Sequence, residues 1–305
     1  MARTTVENTI ERIRRQLAST VRLEINTLGS SLTTSTLTFP LTYDLANSVR
    51  SGAVLSIGRE LMRVVTVNVT SKEVTVIRGW QDTDAEAHAS GDEVLINPRF
   101  TRFDIYDAII QEIDSWNPDI FKVVDAGGTF LTEATGFEVP AAYSASVGVI
   151  HVRRNFTEDS SLVWPETPFA LHRGFSTNLT PTEGTGMYVR FTKGIGYMPQ
   201  AGSYAIRYAI PFDTSDITAE SSDLVADVGL DSPLLELVEL GVKYRLLMDD
   251  ENPRSARSVQ DEPRRNEEVP VGQSINQTQS VLQRYERRRN SEVLRLRTLY
   301  PFRSW

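Results

Sequence analysis

Asp82, Asp84, Glu86 and Glu93 stand at the first, third, fifth and twelfth places of a twelve-residue stretch. That is the spacing at which oxygen ligands surround a calcium ion. Ala87, however, fills the sixth place, where such a loop needs Gly for its sharp turn, and the flanks alternate like strands instead of helices. A polar hairpin loop is the default reading and a calcium site the weaker one. The three histidines, His88, His151 and His172, fall in separate segments. No serine has a nucleophile-elbow context, and neither HExxH nor GxxxxGK[ST] occurs. Gly194, Gly196 and Gly202 look glycine-rich, but no helix follows to present its N-terminus to an anion, so they read as turn residues. Cysteine is absent, which excludes disulfides, cysteine-based zinc sites and thiol nucleophiles. The expectation is a protein without enzymatic activity, metal or cofactor.

Binding chemistry is densest at the C-terminus. Arg284, Arg287, Arg288, Arg289, Arg295 and Arg297 surround Tyr285 and precede Tyr300, Phe302 and Trp305. Arginine and aromatic residues are the types enriched at interface hot spots, so this set is expected to dock onto a protein partner. The bland reading is a solvated basic face, and a third is contact with nucleic-acid phosphates. The charge distribution argues against the last. The formal net charge of −8 divides into +2 over residues 1–28, −15 over 29–270 and +5 over 271–305. The 28 arginines outnumber the 4 lysines, and arginine is preferred for interface ion pairs.

These residues need elements to position them. Val6, Ile10, Ile13 and Leu17 form one stripe of a helix over 3–18, with Thr4 and Glu7 at capping-box spacing. A second helix is predicted over 102–115, capped by Thr101, striped by Ile105, Ile109, Ile113 and Trp116, and stopped at Asn117-Pro118. A third, over 233–248, starts at Ser232-Pro233 and is apolar nearly all round. A fourth, about 274–298, has a narrow stripe of Ile275, Leu282, Tyr285, Val293 and Leu296. Between them the period is two. Residues 53–78 and 93–96 read as strands with a turn at Ser71-Lys72, and Tyr204, Ile206, Tyr208, Ile210 and Phe212 share one strand face. An exposed aromatic platform in 118–212 would bind carbohydrate, but the alternation points these rings inward.

At 305 residues, 40% hydrophobic and 24% charged, the chain is globular and long enough for two or three packed units. No run approaches the roughly 18 apolar residues of a membrane span, and the N-terminus has no signal-like apolar stretch. A soluble protein is expected. Short isolated helices are marginal, so the economical packing joins them. The expected fold is therefore α+β, a helical-bundle core with two inserted β domains and an extended C-terminal arm ending in a helix. Residues 1–20, 100–117 and 213–248 would supply the core, 21–99 a small β barrel, 118–212 a β-sandwich and 249–305 the arm. Within that arm, 249–273 has eleven charged residues and three prolines, a composition that cannot build a core.

The run over 52–109 resembles a segment recurrent in virion proteins of tailed phages, in which I-G-x-E-x-M is followed by R-G-x-x-G-T-x-x-x-x-H-x-x-G and then N-P-R-F. This chain departs at Trp80-Gln81-Asp82, where the Gly of that motif is replaced. LVELGVKYRLLMDDENPRSAR and YERRRNSEVLRLRTLYP also resemble neck or minor structural proteins of long-tailed phages. The resemblance implies a head-to-tail connector, or adaptor, subunit in the virion neck, assembled in the host cytoplasm. Such a subunit forms a ring, usually of twelve copies, between the portal protein and a tail-side neck or tail-terminator protein. DNA passes through the lumen without specific binding, no membrane is involved, and a terminal arm grips the portal. The alternative is a minor tail or baseplate protein with a binding β-sandwich. Deleting 273–305 is expected to leave a folded protein that no longer joins heads.

Overall fold

Between residues 24 and 96 aliphatic and β-branched side chains alternate with polar ones, and six strands result. They are β1 (Glu24–Thr27), β2 (Thr38–Pro40), β3 (Val54–Ile57), β4 (Glu60–Asn68), β5 (Glu73–Ile77) and β6 (Glu93–Ile96). All neighbours are antiparallel in the order β1-β6-β3-β4-β5-β2. The sheet curls until its edges meet: Leu28 bridges Leu41, the Gly29 amide donates to the Pro40 carbonyl at 3.0 Å, and Thr42 donates to Thr27 at 3.0 Å. Inside lie Leu28, Phe39, Leu55, Met62, Val74 and Val94, among others. The β4–β5 turn follows from local chemistry, since Asn68 Oδ1 accepts from the amides of Thr70 and Ser71, and Lys72 adopts φ 55°.

The computed structural model describes residues 4–18, 24–45, 49–130, 136–139, 146–155, 169–173, 187–191, 202–258, 273–301 and 303–304. The chain divides into two units. The first comprises Met1–Glu112, Ile217–Asp227 and Asp231–Tyr285, and the second Ile113–Asp216, Val228–Leu230 and Glu286–Trp305. In the second, β7 (Lys122–Phe130), β9 (Gly148–Asn155), β12 (Gly202–Ile210) and β13 (Arg303–Ser304) form a sheet in the order β13-β9-β12-β7. A smaller sheet has the order β10-β11-β8, from Phe169–Arg173, Met187–Phe191 and Gly136–Glu138. Val149, Val152, Ile206 and Tyr208 of the larger sheet share an apolar cluster with Phe169 and Val189 of the smaller. Phe212 is also buried and meets Trp116 edge-on, with ring centroids 5.9 Å apart.

Four helices complete the described residues: α1 (Val6–Ala18), α2 (Arg102–Asp114), α3 (Ser232–Ser258) and α4 (Gln273–Leu299). Val6, Ile10, Ile13 and Leu17 of α1 are buried. The α1 cap sits one residue later than its spacing suggests. Thr5 Oγ1 accepts from the Asn8 amide, while the Thr4 hydroxyl donates to Asp223. Thr101 and Asp104 cap α2 reciprocally, each side-chain oxygen accepting from the other's amide at 3.0 and 2.9 Å.

The helical-bundle core is not found. Thirteen strands in three sheets stand beside the four helices in the described residues, and the six-stranded sheet has an apolar cluster of its own while the other two sheets share another. Close backbone approach between helices is most extensive for α1 and α3. A short helix needs an apolar surface to cover its stripe, but nothing requires that surface to be another helix. The arm is also shorter than its composition suggests, because α3 continues to Ser258 through the first ten residues of the charged stretch. Residues 259–272 lie outside the described residues.

Candidate functional site

α4 carries most of the side chains assigned to partner binding, and the fold uses the majority of them internally. In the first unit, Tyr285 donates its hydroxyl to Glu112 Oε1 at 2.6 Å. Glu112 is 1% exposed, and its Oε2 accepts from Arg245 Nε at 2.7 Å. The Tyr285 ring stacks on Tyr244, with centroids 6.2 Å apart and 12° between the planes. The Glu112 carboxylate lies against Gly241 of α3, where any Cβ would collide with it. A close approach, not backbone conformation, therefore requires glycine at this point.

In the second unit four arginines of α4 share two carboxylates. Arg288 and Arg295 both reach the buried Glu292, at 3.0 and 2.6 Å, a consequence of i,i+4 and i,i+3 spacing on one helix face. Arg289 and Arg297 hold the two oxygens of Asp119, at 3.0 and 2.9 Å. Tyr300 is half-buried, and its amide donates to the Leu296 carbonyl. Beyond it Arg303 and Ser304, as β13, pair with Val149 and Gly148 of β9. Phe302 and Trp305 lie outside the described residues. Arg284 and Arg287 are exposed and make no ion pair among the described residues. Leu294 and Leu299 of the same helix are 66% and 57% exposed. Removing 273–305 would thus strip Glu112 and Asp119 of partners and uncover a sheet edge, so the truncated chain is not expected to remain folded.

A second polar centre is not legible from spacing alone. Glu60 is fully buried on β4 and receives Arg78 bidentately, Nε to Oε1 at 2.5 Å and Nη2 to Oε2 at 2.6 Å. The amides of Gly79 and Glu86 also donate to it, at 3.3 and 3.0 Å, and His88 Nε2 lies 2.8 Å from Oε2. Arg78 Nη1 further donates to the carbonyls of Thr33 and Thr36. Burial by itself would raise the Glu60 pKa, but hydrogen bonds from Arg78, His88 and the Glu86 amide outweigh it and hold the carboxyl at about 2. These are the E, RG and H of the virion-protein motif quoted above. Counting from Arg78-Gly79 puts the motif's missing Gly at Asp82, whose φ is 61°, in the left-handed region that favours glycine. The available signal was a charged residue, Glu60, inside an otherwise apolar strand run.

The acidic loop has no converging ligand set. Glu86 pairs with Arg59 at 3.2 Å and Glu93 with Arg14 at 3.1 Å. Among the described residues no cluster of three or more His, Asp or Glu could hold a metal ion. His151 on β9 stands opposite Arg207, and His172 on β10 opposite Tyr188, so the three histidines do not meet. No helix of the described residues is long and apolar enough to cross a membrane. No family model and no curated protein matches the chain.

Proposed function

We propose that the chain is a structural virion protein, a subunit of the head-to-tail connector of a tailed phage. The observation that carries this reading is the network around Glu60. The residues through which 52–109 resembles virion proteins are those that cross-link a curled six-stranded sheet, so the likeness rests on a folding unit and not on surface composition. In this reading the protein assembles in the host cytoplasm as a ring, usually of twelve copies. The ring sits in the neck between the portal protein and a tail-side neck or tail-terminator protein, and its role is assembly without catalysis. The acidic body lines the lumen and repels phosphate, which lets DNA slide through without binding. The portal contact falls to the end of α4, where Leu294 and Leu299 project from the surface beside the half-buried Tyr300.

Position within the particle tests the class of protein. Gold labelling of a tagged copy in stained virions should mark the neck, and label at the distal tail tip would favour the baseplate alternative. The buried Phe169 and Tyr208 of the second unit weigh against that alternative, since neither can offer a stacking surface to a glycan. The docking surface has its own test. Leu294→Asp with Leu299→Asp should leave thermal unfolding nearly unchanged and abolish co-sedimentation with portal rings. Undiminished binding would place the contact elsewhere.

A further inference from the structure

In the second unit β7 is the outermost strand of its sheet, and no strand among the described residues flanks it on the far side. Its nine residues, Lys122–Phe130, pair with β12 in one unbroken register. An antiparallel strand turns the N–H and C=O groups of alternate residues away from its neighbour, so this edge carries a row of them about 30 Å long. Natural edges are blunted by Pro, by a bulge, by a central Lys or by being short. β7 has none of these. Its lysine, Lys122, is its first residue, and its register has no shift, unlike that of β9 on β12. The mid-strand carboxylate of Asp125 is already held by Arg207 of the same sheet, Nε to Oδ1 at 2.5 Å and Nη2 to Oδ2 at 2.6 Å. Beyond it stand Gly127 and Gly128. Glycine inside a strand, away from any bulge, marks a place where another backbone comes close. Gly127 is exposed and Gly128 half-buried, so neither is enclosed within its own unit.

We propose that β7 pairs with β7 of a second copy of the chain, antiparallel about a two-fold axis through Ala126. In that register the strand is its own complement. All nine residues overlap, Val124 of one copy faces Gly128 of the other, and Asp125 of one faces Gly127 of the other. Each glycine therefore meets a larger residue. Paired residues also have like parity, so the groups pointing away from β12 in one copy meet those pointing away in the other. Alternate pairs exchange two hydrogen bonds each, about eight to ten in all, which matches the usual count for a specific interface. A register centred between two residues would set free groups against groups already bonded to β12. One centred on Asp125 would set the two carboxylates face to face. The contact is isologous, and two four-stranded sheets become one continuous sheet. This pairing stands apart from the connector reading. A ring with distinct head and tail faces has no two-fold axis between neighbours, so in that reading the dimer is the free chain before assembly, its open edge covered.

Sedimentation of the full chain over a range of concentrations should show a monomer–dimer equilibrium. The chain has no cysteine, so single introduced cysteines report the register directly. Ala126→Cys sets two thiols opposite one another, with Cα atoms about 5 Å apart and within disulfide reach, and oxidation should cross-link it into dimers. Val123→Cys sets them roughly 20 Å apart along the strands and should not cross-link. Gly127 is the discriminating position. Gly127→Glu places a carboxylate against Asp125 of the other copy, twice per dimer, and should weaken association about tenfold. Gly127→Lys should strengthen it by a similar factor. Neither should lower the melting temperature of the dilute monomer, because glycine is the poorer strand former. A chain that stays monomeric at every concentration would overturn the pairing and leave the edge to an extended segment of another protein. Equal cross-linking of the two cysteine variants, or glutamate and lysine shifting association the same way, would overturn it too. The virion labelling that judges the connector reading is untouched by any of these results.

Discussion

Glu60 shows how much a single buried carboxylate decides. Its carboxyl has a pKa of about 2 in the fold against an ordinary 4.5. A depressed acid pKa stabilises the folded state above the unfolded value, so the contribution is complete above about pH 4.5 and is lost as pH falls through about 2. Its size is about 3 kcal/mol. Glu60→Gln should cost about that much, because it leaves the buried Arg78 guanidinium without its counter-charge. Urea denaturation at neutral pH should show the loss, and the variant's stability should vary less between pH 4.5 and 2. An unchanged urea midpoint would refute the role. At Asp82 the direction reverses. A left-handed φ of 61° penalises a side chain, and no hydrogen bond to the Asp82 carboxylate among the described residues compensates, so Asp82→Gly should stabilise by about 1 kcal/mol in the same assay. Neither effect was legible in the sequence as a site. Glu60 and Arg78 are eighteen residues apart, and only the pairing of β4 with β5 and the loop returning through His88 bring their charges together.

Helices and strands were more legible than their partners. The stripes of α1 and α2 and the turn at Ser71-Lys72 are written in local periodicity and capping chemistry, which act within a few residues. The extra length of α3 was not, because a charged composition shows only that a segment cannot build a core. Charged residues such as Glu and Arg are good helix formers, and a helix end needs no core of its own. Tyr285 shows the difficulty: it reads as an interface anchor, and in the fold the half-buried side chain is engaged by Glu112 and Tyr244. Tyr285→Phe should therefore lower stability by about 1–2 kcal/mol, since Glu112 loses a donor while remaining buried. Gly241→Ala should do more damage, about 3 kcal/mol, because the new methyl group and the Glu112 carboxylate cannot share one position. Calorimetric melting of both variants checks the order; equal melting temperatures would show that α2 and α3 separate at little cost.

At the scale of the molecule, the division into +2, −15 and +5 takes on a narrower meaning. Four of the seven C-terminal arginines are engaged within the fold by Glu292 and Asp119, and those of α4 without an ion pair among the described residues are Arg284 and Arg287. The sequence could reveal that the ends are basic but not which charges were already spoken for, because each pairing depends on residues far away along the chain. The two units are drawn from six alternating segments, so the polypeptide passes between them five times. Their unfolding is accordingly expected to be one transition, with calorimetric and van't Hoff enthalpies equal; two resolved peaks would contradict it. The same threading bears on mechanical load. A pull that draws the units apart is shared by five covalent passages instead of falling on one linker, and a cut through any one of them leaves four still holding.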